Sequence, residues 1–477
     1  MLTLLNIRQG FVLMVLTIAT PVVVAAPPQT LADLAEGKDW DRVSAMLEKG
    51  EDAGSKQPDG TTALHWAAFY DQAEMVKRLA KHGADLDALN RYQVSPLSLA
   101  CEYGNAKAAM ALIELDADVE SKRIGKETPL MLAARNGDPQ IVKRLLQHGA
   151  SVKSQEVGGQ TALMWAAAAG NAEAAALLID AGADIHRTLR ASGFSAPMFA
   201  ARQGQTDVMM KFIESGFDVH TVIQPKRSGA RDPRKGTSAL LLAVESGHLD
   251  LALRLVEAGA DPNDQRSGFA PLHAITWVRR TERGDNPAGD PAPRITGDLS
   301  TLDFVKAIVA AGADINLRIH NGKPRGGRLN PKGATPFLLA SRGADIPLMR
   351  LMLELGADPT IPNADGTTPL LAAAGVGVIA VGEEPGTEEE VNLALRMLCD
   401  LGLDPNAVDR KGETAMHGAA LRTFPKTVAV LAELGADPKI WNRENRRGWT
   451  PHEIAAGQRP GSVKPSPVTI AALDEAL

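Results

Sequence analysis

Cysteine and tyrosine are scarce in this chain. Its 477 residues hold two Cys and three Tyr, and aromatic side chains of all kinds make up 4%. Two cysteines build no disulfide framework, and no Cys-x-x-Cys pair offers a zinc ribbon or a thiol redox centre. The glycine-rich phosphate loop is absent, as is the Gly-x-Ser-x-Gly elbow of serine hydrolases. His452-Glu453 lacks the second His that a zinc-protease helix needs. Charge of one sign is also in short supply. A formal net charge of −6 argues against general affinity for nucleic acid. With few large rings, small residues, above all Ala, carry much of the apolar content, which suits short helices in close contact. The length exceeds one ordinary hydrophobic core.

A long apolar run occurs only at the start. Arg8 precedes an almost uncharged stretch from Phe11 to Ala26, broken at Pro21. Small residues at 22–26 suit a signal peptidase, so residues 1–26 are expected to be an export signal cleaved after Ala25 or Ala26. No Cys follows to direct lipoprotein processing, and no Asn-x-Ser/Thr site occurs. The expected location is the periplasm or the extracellular space, in a bacterial envelope. The alternative is a protein anchored in the membrane through an uncleaved segment.

Against these absences stands a rhythm. A Gly-x-(Thr/Ser)-(Pro/Ala)-Leu pattern places its hydroxyl residue at Thr62, Ser95, Thr128, Thr161 and Ser195, with steps of 33, 33, 33 and 34 residues. A looser series follows at Ser238, Ala270, Thr335, Thr368, Thr414 and Thr450. Such a period marks supersecondary units that bury their apolar faces only by stacking. In the unit from Asp59 to Asp87, Thr62 is placed to cap a short helix carrying Leu64, Ala67 and Ala68. Met75, Val76 and Leu79 have the spacing of a second, amphipathic helix, and Gly83 is its expected stop.

These motifs resemble the ankyrin repeat. Thr128-Pro129-Leu130, Thr161-Ala162-Leu163, Pro271-Leu272-His273, Thr368-Pro369-Leu370 and Thr414-Ala415-Met416-His417 match its helix start. Gly83-Ala84-Asp85, Gly182-Ala183-Asp184, Gly259-Ala260-Asp261, Gly312-Ala313-Asp314, Gly356-Ala357-Asp358 and Gly435-Ala436-Asp437 match its loop. The resemblance implies an all-α solenoid of about ten to eleven helix-turn-helix repeats with projecting hairpin loops, or fingers. It also implies a protein partner on the concave face built by fingers and first helices. Capping helices are expected at 27–58, repeats over 59–447 and a capping repeat at 448–477. With helices about 8–10 Å apart per step, Cys101 and Cys399 fall on the order of tens of Å apart, beyond disulfide reach of about 7 Å.

The array departs from its period through insertions at 220–235, 279–299, 317–332 and 376–390. The first enlarges a finger with Lys226, Arg227, Arg231, Arg234 and Lys235. The third enlarges another with Arg318, Lys323, Arg325, Arg328 and Lys332. The last carries Glu383, Glu384, Glu388, Glu389 and Glu390 with no base. A basic finger edge opposite an acidic one is expected, able to steer an anionic partner. All three tyrosines gather in early repeats. Tyr70 and Tyr103 hold equivalent first-helix positions, and Tyr92 lies on the finger between them. With Phe69 they form a candidate partner-binding patch. Phe194, Phe269 and Trp277 form a second, weaker one.

Most of the ten histidines have structural explanations. His65, His273 and His417 stand where the resemblance implies a ring bonded to loop backbone. His82 and His148 precede a Gly stop, where a cation suits a helix C-terminus. His248 follows Gly247, and His186 and His220 replace a loop Asn, while His320 is unexplained. No catalytic residue, metal site or cofactor is expected. The function expected is a non-enzymatic scaffold for a protein partner in the bacterial envelope, monomeric and without nucleic acid. The alternatives are a binder of an anionic cell-surface glycan or lipid head group, and a secreted host-directed effector.

Overall fold

The computed structural model describes residues 29–226, 234–280, 293–321, 328–382, 384–458 and 464–477. Twelve helix pairs stand in chain order among them. The first helices are α1 (Leu31–Glu36), α3 (Ala63–Phe69), α5 (Pro96–Tyr103), α7 (Pro129–Asn136), α9 (Ala162–Ala169), α11 (Ala196–Gln203), α13 (Ala239–Glu245), α15 (Pro271–Arg279), α17 (Pro336–Arg342), α19 (Pro369–Ala374), α21 (Ala415–Arg422) and α24 (Pro451–Ala455). Their partners are α2 (Trp40–Glu48), α4 (Ala73–Lys81), α6 (Ala106–Glu114), α8 (Pro139–Gln147), α10 (Ala172–Asp180), α12 (Thr206–Glu214), α14 (Leu249–Glu257), α16 (Thr301–Ala310), α18 (Ile346–Glu354), α20 (Glu388–Asp400), α22 (Pro425–Glu433) and α25 (Pro467–Glu475). A single turn, α23 (Pro438–Trp441), sits in the last finger. Isolated bridges Lys56/Thr62, Thr188/Ser195 and Val222/Ser238 are the only β pairing among the described residues.

The periodic hydroxyls start the first helices. Ser95 Oγ accepts from Ser98 N at 3.1 Å and Thr335 Oγ1 from Leu338 N at 3.2 Å, satisfying an amide that has no helical partner. Thr161 and Ser195 hold the same extended conformation without that side-chain bond. Pro at N1 or N2 of α5, α7, α17 and α19 pre-sets the helical φ where an N–H has no partner. Gly83 takes φ +85° after α4, a left-handed stop in which a Cβ would be strained.

Alanine sets the stacking distance. Ala67, Ala100, Ala133, Ala166, Ala200 and Ala243 are fully buried on successive first helices. Each lets the next helix approach closely, and that row is unbroken from α1 to α24. Leu79, Leu112, Leu145 and Leu178 fill the space between rows, each contributing about 1.5–3 kcal/mol. The second-helix row packs closely from α4 to α12 but loosens between α12 and α14 and between α16 and α18. Those steps carry the two enlarged fingers. No described helix is long and apolar enough to cross a membrane. Cys101 is buried in α5 and Cys399 half-buried in α20; both are free thiols.

The described parts of the insertions fold back onto the stack. Ile223 is fully buried and exchanges backbone bonds with its own finger, its N–H reaching Thr237 O at 2.9 Å while Gly236 N reaches Ile223 O at 2.9 Å. Thr296 N donates to Gly247 O at 3.1 Å, and His248 bridges Thr296 Oγ1 at 2.8 Å and Arg202 O at 2.9 Å. Leu329 N donates to Gly377 O at 3.2 Å. Arg422 donates to Pro385 O at 3.3 Å.

Candidate functional site

In the first repeats the side of α3 turned away from α4 gathers rings. Phe69 packs edge-on against Tyr70 at 4.9 Å and against Tyr103 at 4.8 Å between ring centroids. Trp66 stacks on Tyr70 at 5.9 Å and meets Phe69 edge-on at 5.8 Å. Trp40 of α2 closes the group at 6.2 Å from Tyr70. Trp40 and Trp66 are additions to the residues read from sequence. Trp66 has a readable signal, since Trp165 and Phe199 also stand four residues after a periodic hydroxyl and are likewise half-buried.

The rings divide into support and surface. Tyr70 donates its hydroxyl to Glu36 O at 3.2 Å and carries Lys38 Nζ at 4.4 Å from its centroid. It ties α3 to the first helix pair. Tyr103 is 55% exposed and Tyr92, on its finger, 53%. Tyr92 stands apart from the ring cluster and packs under Arg91 at 5.1 Å. The next two fingertips continue its surface with Ile124 at 67% and Val157 at 70% exposure. Val157 N donates to Gly125 O at 3.0 Å, so these two tips are tied side by side. Beside them Glu102 takes Arg135 at 3.0 Å and also Arg123, and Arg135 lies 5.0 Å above Trp165.

The second aromatic patch needs correction. Phe194 is 2% exposed, packed on Phe199 at 5.2 Å with Arg202 above it at 5.8 Å. It precedes the bridge residue Ser195, and its finger turns the ring into the core, so it presents nothing to a partner. Phe269 and Trp277 do pair, at 5.1 Å, both half-buried with Arg234 5.3 Å above Phe269.

The basic fingers are less free than their composition implies. Arg234 is ion-paired with Glu245. Arg318 donates to Gly333 O at 3.2 Å and Pro362 O at 3.0 Å, stitching its finger to the next. Lys226, Lys235 and Lys332 are exposed and Arg328 is half-buried. Arg227, Arg231, Lys323 and Arg325 lie outside the described residues, as does Glu383. The acidic edge is likewise corrected. Glu384 is ion-paired with Arg342, and Glu390 takes Arg280 through two bonds of 2.9 and 2.6 Å. That guanidinium draws the Glu390 carboxyl down to about 2. Arg279 grips Asp345 in the same two-pronged way, at 2.7 and 3.0 Å. Glu384 and Glu390 are therefore clamps between repeats and Glu388 accepts from Thr427 N at 3.1 Å, while Glu389 stays exposed.

Further along, the first-helix face is covered by the chain itself. Leu329 and Ile319 of the third insertion join Ala334, Leu338 and Ala372 in a small apolar cluster separate from the main core, with Phe269 and Leu339 at its margin. Asn330 Nδ2 donates to Asp365 Oδ1 at 2.9 Å and holds the segment in place.

The histidines of the helix starts are structural. His65, His273 and His417 are buried and reach the next finger's carbonyls at Val94 (2.9 Å), Leu317 (2.9 Å) and Arg443 (3.1 Å). Burial pushes all three rings toward neutrality, His273 and His417 down to about 4. Among the described residues no three His, Cys, Asp or Glu side chains converge on a metal position.

Residues 31–123, 120–189 and 186–266 match the ankyrin-repeat family in three copies. The solenoid is thus of the ankyrin kind, and the chain belongs to that family. Ankyrin repeat and SOCS box protein 16 of Mus musculus is 33% identical over 122 residues, 25% of each chain. Glycerophosphocholine phosphodiesterase gde1 of Schizosaccharomyces pombe is 31% identical over 122 residues, 26% of this chain and 10% of its own. The ankyrin repeat, SAM and basic leucine zipper domain-containing protein 1 of Dasypus novemcinctus is 32% identical over 142 residues, 30% of this chain and 25% of its own. These matches span a quarter or less of the relatives' own length. Ankyrin repeats generally serve as protein-interaction scaffolds and not as catalysts.

Proposed function

We propose that this chain is a non-enzymatic scaffold whose first-helix face and fingertips, from α3 to α11, hold a protein partner. The observation that carries this reading is the run of exposed apolar side chains Tyr92, Tyr103, Ile124 and Val157 beside the half-buried Trp66, Phe69 and Trp165. Rigid rings supply contact area at low entropic cost, and fixed charges such as Glu102–Arg135 at their margin set orientation. Nothing in regular stacking requires three neighbouring fingertips to be apolar.

The apolar segment 11–26 after Arg8 supports an exported protein working in the bacterial envelope. Residues 1–26 fused to a reporter should carry it out of the cytoplasm; a reporter retained inside would remove the envelope role. For the binding face, Tyr92→Ala with Tyr103→Ala should abolish recovery of the native partner while the far-ultraviolet spectrum stays unchanged. Undiminished recovery of the same partner would refute the site.

A further inference from the structure

Beyond the covered face, the fingertips change chemistry. The tips of the fingers before α5, α7 and α9 carry Tyr92, Ile124 and Val157. Those before α17, α21 and α24 carry Lys332, Arg410-Lys411 and Arg446-Arg447. Backbone bonds zip these later tips together: Ala364 N to Lys332 O, Arg410 N to Asp365 O and Arg446 N to Lys411 O, each 2.8 Å. Five cations therefore lie along a single fixed strip, interrupted at the finger before α19, whose tip is Ala364-Asp365. Lys332, Arg410, Arg446 and Arg447 are exposed.

The nearby acids cancel only part of this charge. Asp365 is already ion-paired with Lys411. Asp409 is folded beneath the tip, accepting from Lys411 N at 2.8 Å and Glu413 N at 3.0 Å. Glu413 is tucked against Asn445, whose Nδ2 donates to it at 3.0 Å. Glu444 stands exposed at the edge of the last finger. Arg410 reaches Ala364 O at 2.8 Å and Arg447 lies 5.5 Å over Trp449, so both heads are held in place; Asp365 and Glu413 lie within their fields, but neither arginine forms a direct ion pair among the described residues.

We infer that this strip docks an extended acidic segment of another polypeptide. The spacing fits such a chain. Adjacent repeats stand about 10 Å apart, and an extended peptide advances about 3.3 Å per residue, so carboxylates about three residues apart meet the Arg410 and Arg446 tips, and one about six residues further along meets Lys332. The surroundings disfavour a broad anion. The same fingers expose Asp314, Asp358 and Asp404 at their bases, which would repel a bilayer surface or a nucleic-acid duplex laid across them. A narrow chain threads the tips without meeting that row. This site shares no residue with the aromatic face and stands or falls apart from it.

The test uses the full chain and a labelled twelve-residue peptide with Glu at every third position between Ser and Gly, beside a twin with Gln in place of Glu. Fluorescence anisotropy at low salt should show saturable binding of the Glu peptide alone. Raising salt should weaken it steeply, since exposed charges are screened within about 8 Å at physiological ionic strength. Arg410→Gln/Arg446→Gln/Arg447→Gln should weaken binding by about tenfold or more, while Tyr92→Ala/Tyr103→Ala leaves it unchanged. Should the triple variant lose its thermal transition, Lys332→Gln/Arg446→Gln removes no described side-chain hydrogen bond and makes the same comparison. The inference fails if the Glu peptide does not bind, or if the charge-depleted chain binds it equally. It also fails if phosphatidylglycerol vesicles or a DNA duplex are bound through these residues in preference to the peptide.

Discussion

The two halves of the solenoid solve the same packing problem and differ in what they leave open. From α3 to α11 the anchors recur every 33 or 34 residues, and the fingertips expose Tyr92, Ile124 and Val157 beside the cations Arg91 and Lys126. From α13 onward insertions interrupt the rhythm, a chain segment covers α17 and α19, and arginines clamp the inter-helix loops. Stacking alone accounts for the common parts: capping hydroxyls, packing alanines and left-handed glycines. The first half thus has a surface without internal use, while the second spends its apolar surface and much of its charge on itself. That contrast is the ground for our proposal that partner recognition by apolar contact lies in the first half.

The sharpest way to break the contrast is at the second half's clamp. Asp345 is buried, caps α18 through Leu348 N at 3.2 Å and takes both prongs of Arg279. Asp345→Ala leaves that half-buried guanidinium without its carboxylate and α18 without its cap, and should cost about 3–5 kcal/mol. Because helix packing runs between neighbouring repeats, urea unfolding should split into two transitions, the early one belonging to the second half. A single shifted transition would show the halves to be one cooperative unit.

Next in size is the covering segment. Leu329→Ala removes the side chain that fills the small cluster and should cost about 2–3 kcal/mol. Hydrogen exchange should quicken over 329–339 and 370–377 and stay unchanged over 60–105. Unchanged protection throughout would mean that Leu329 is not what holds the segment.

A smaller effect distinguishes the halves by pH. Burial, aided by the neighbouring Asp409, pushes the Glu413 carboxyl up to about 7, and Asp409 is itself raised by burial. Lys411 and Arg447 face Glu413 and partly offset this, while Asn445 donates to it. A carboxyl raised in the folded state holds its proton more tightly folded than unfolded. The associated stability is therefore full below about 4.5, the ordinary Glu value, and is lost as pH rises toward 7. Glu413→Gln should flatten that fall and raise second-half stability at pH 8 by about 1–2 kcal/mol. A parallel pH profile in the variant would show that another group carries the dependence.

Least costly to the fold are the surface rings. Tyr92→Ala should change stability by no more than about 0.5 kcal/mol, because its ring touches little beyond Arg91. Tyr70→Ala should cost more, since that ring packs on Trp40, Trp66 and Phe69. Equal losses in calorimetry would erase the division between surface and support.

Much of this was legible in the sequence because ankyrin stacking is local. Thr62, Ala67, Leu79 and Gly83 each act within one repeat or on its neighbour, so a 33-residue ruler finds them. The ruler fails where partners are remote. Arg280 meets Glu390 across 110 positions, and only the folded chain shows that part of a run of glutamates is an internal clamp. Leu329 meets Gly377, whose φ of +88° and missing Cβ let the finger backbone lie against it. Phe194 looked like a surface ring because aromatic content alone does not say which way a finger residue points. The register of Trp66 with Trp165 and Phe199 is legible in the sequence. The described basic residues were found, but hydrogen bonds and ion pairs decide which of them remain free.

The most direct test of the binding face is site-specific photo-crosslinking in the native host. A photoreactive residue placed at Tyr92, Tyr103 or Ile124 should yield one shared protein adduct, and the same residue at Arg78 or Lys107 on the second helices should yield none. Adducts of equal strength at the second-helix positions, or none at the three first-face positions, would contradict the assignment of recognition to the open face of the first half.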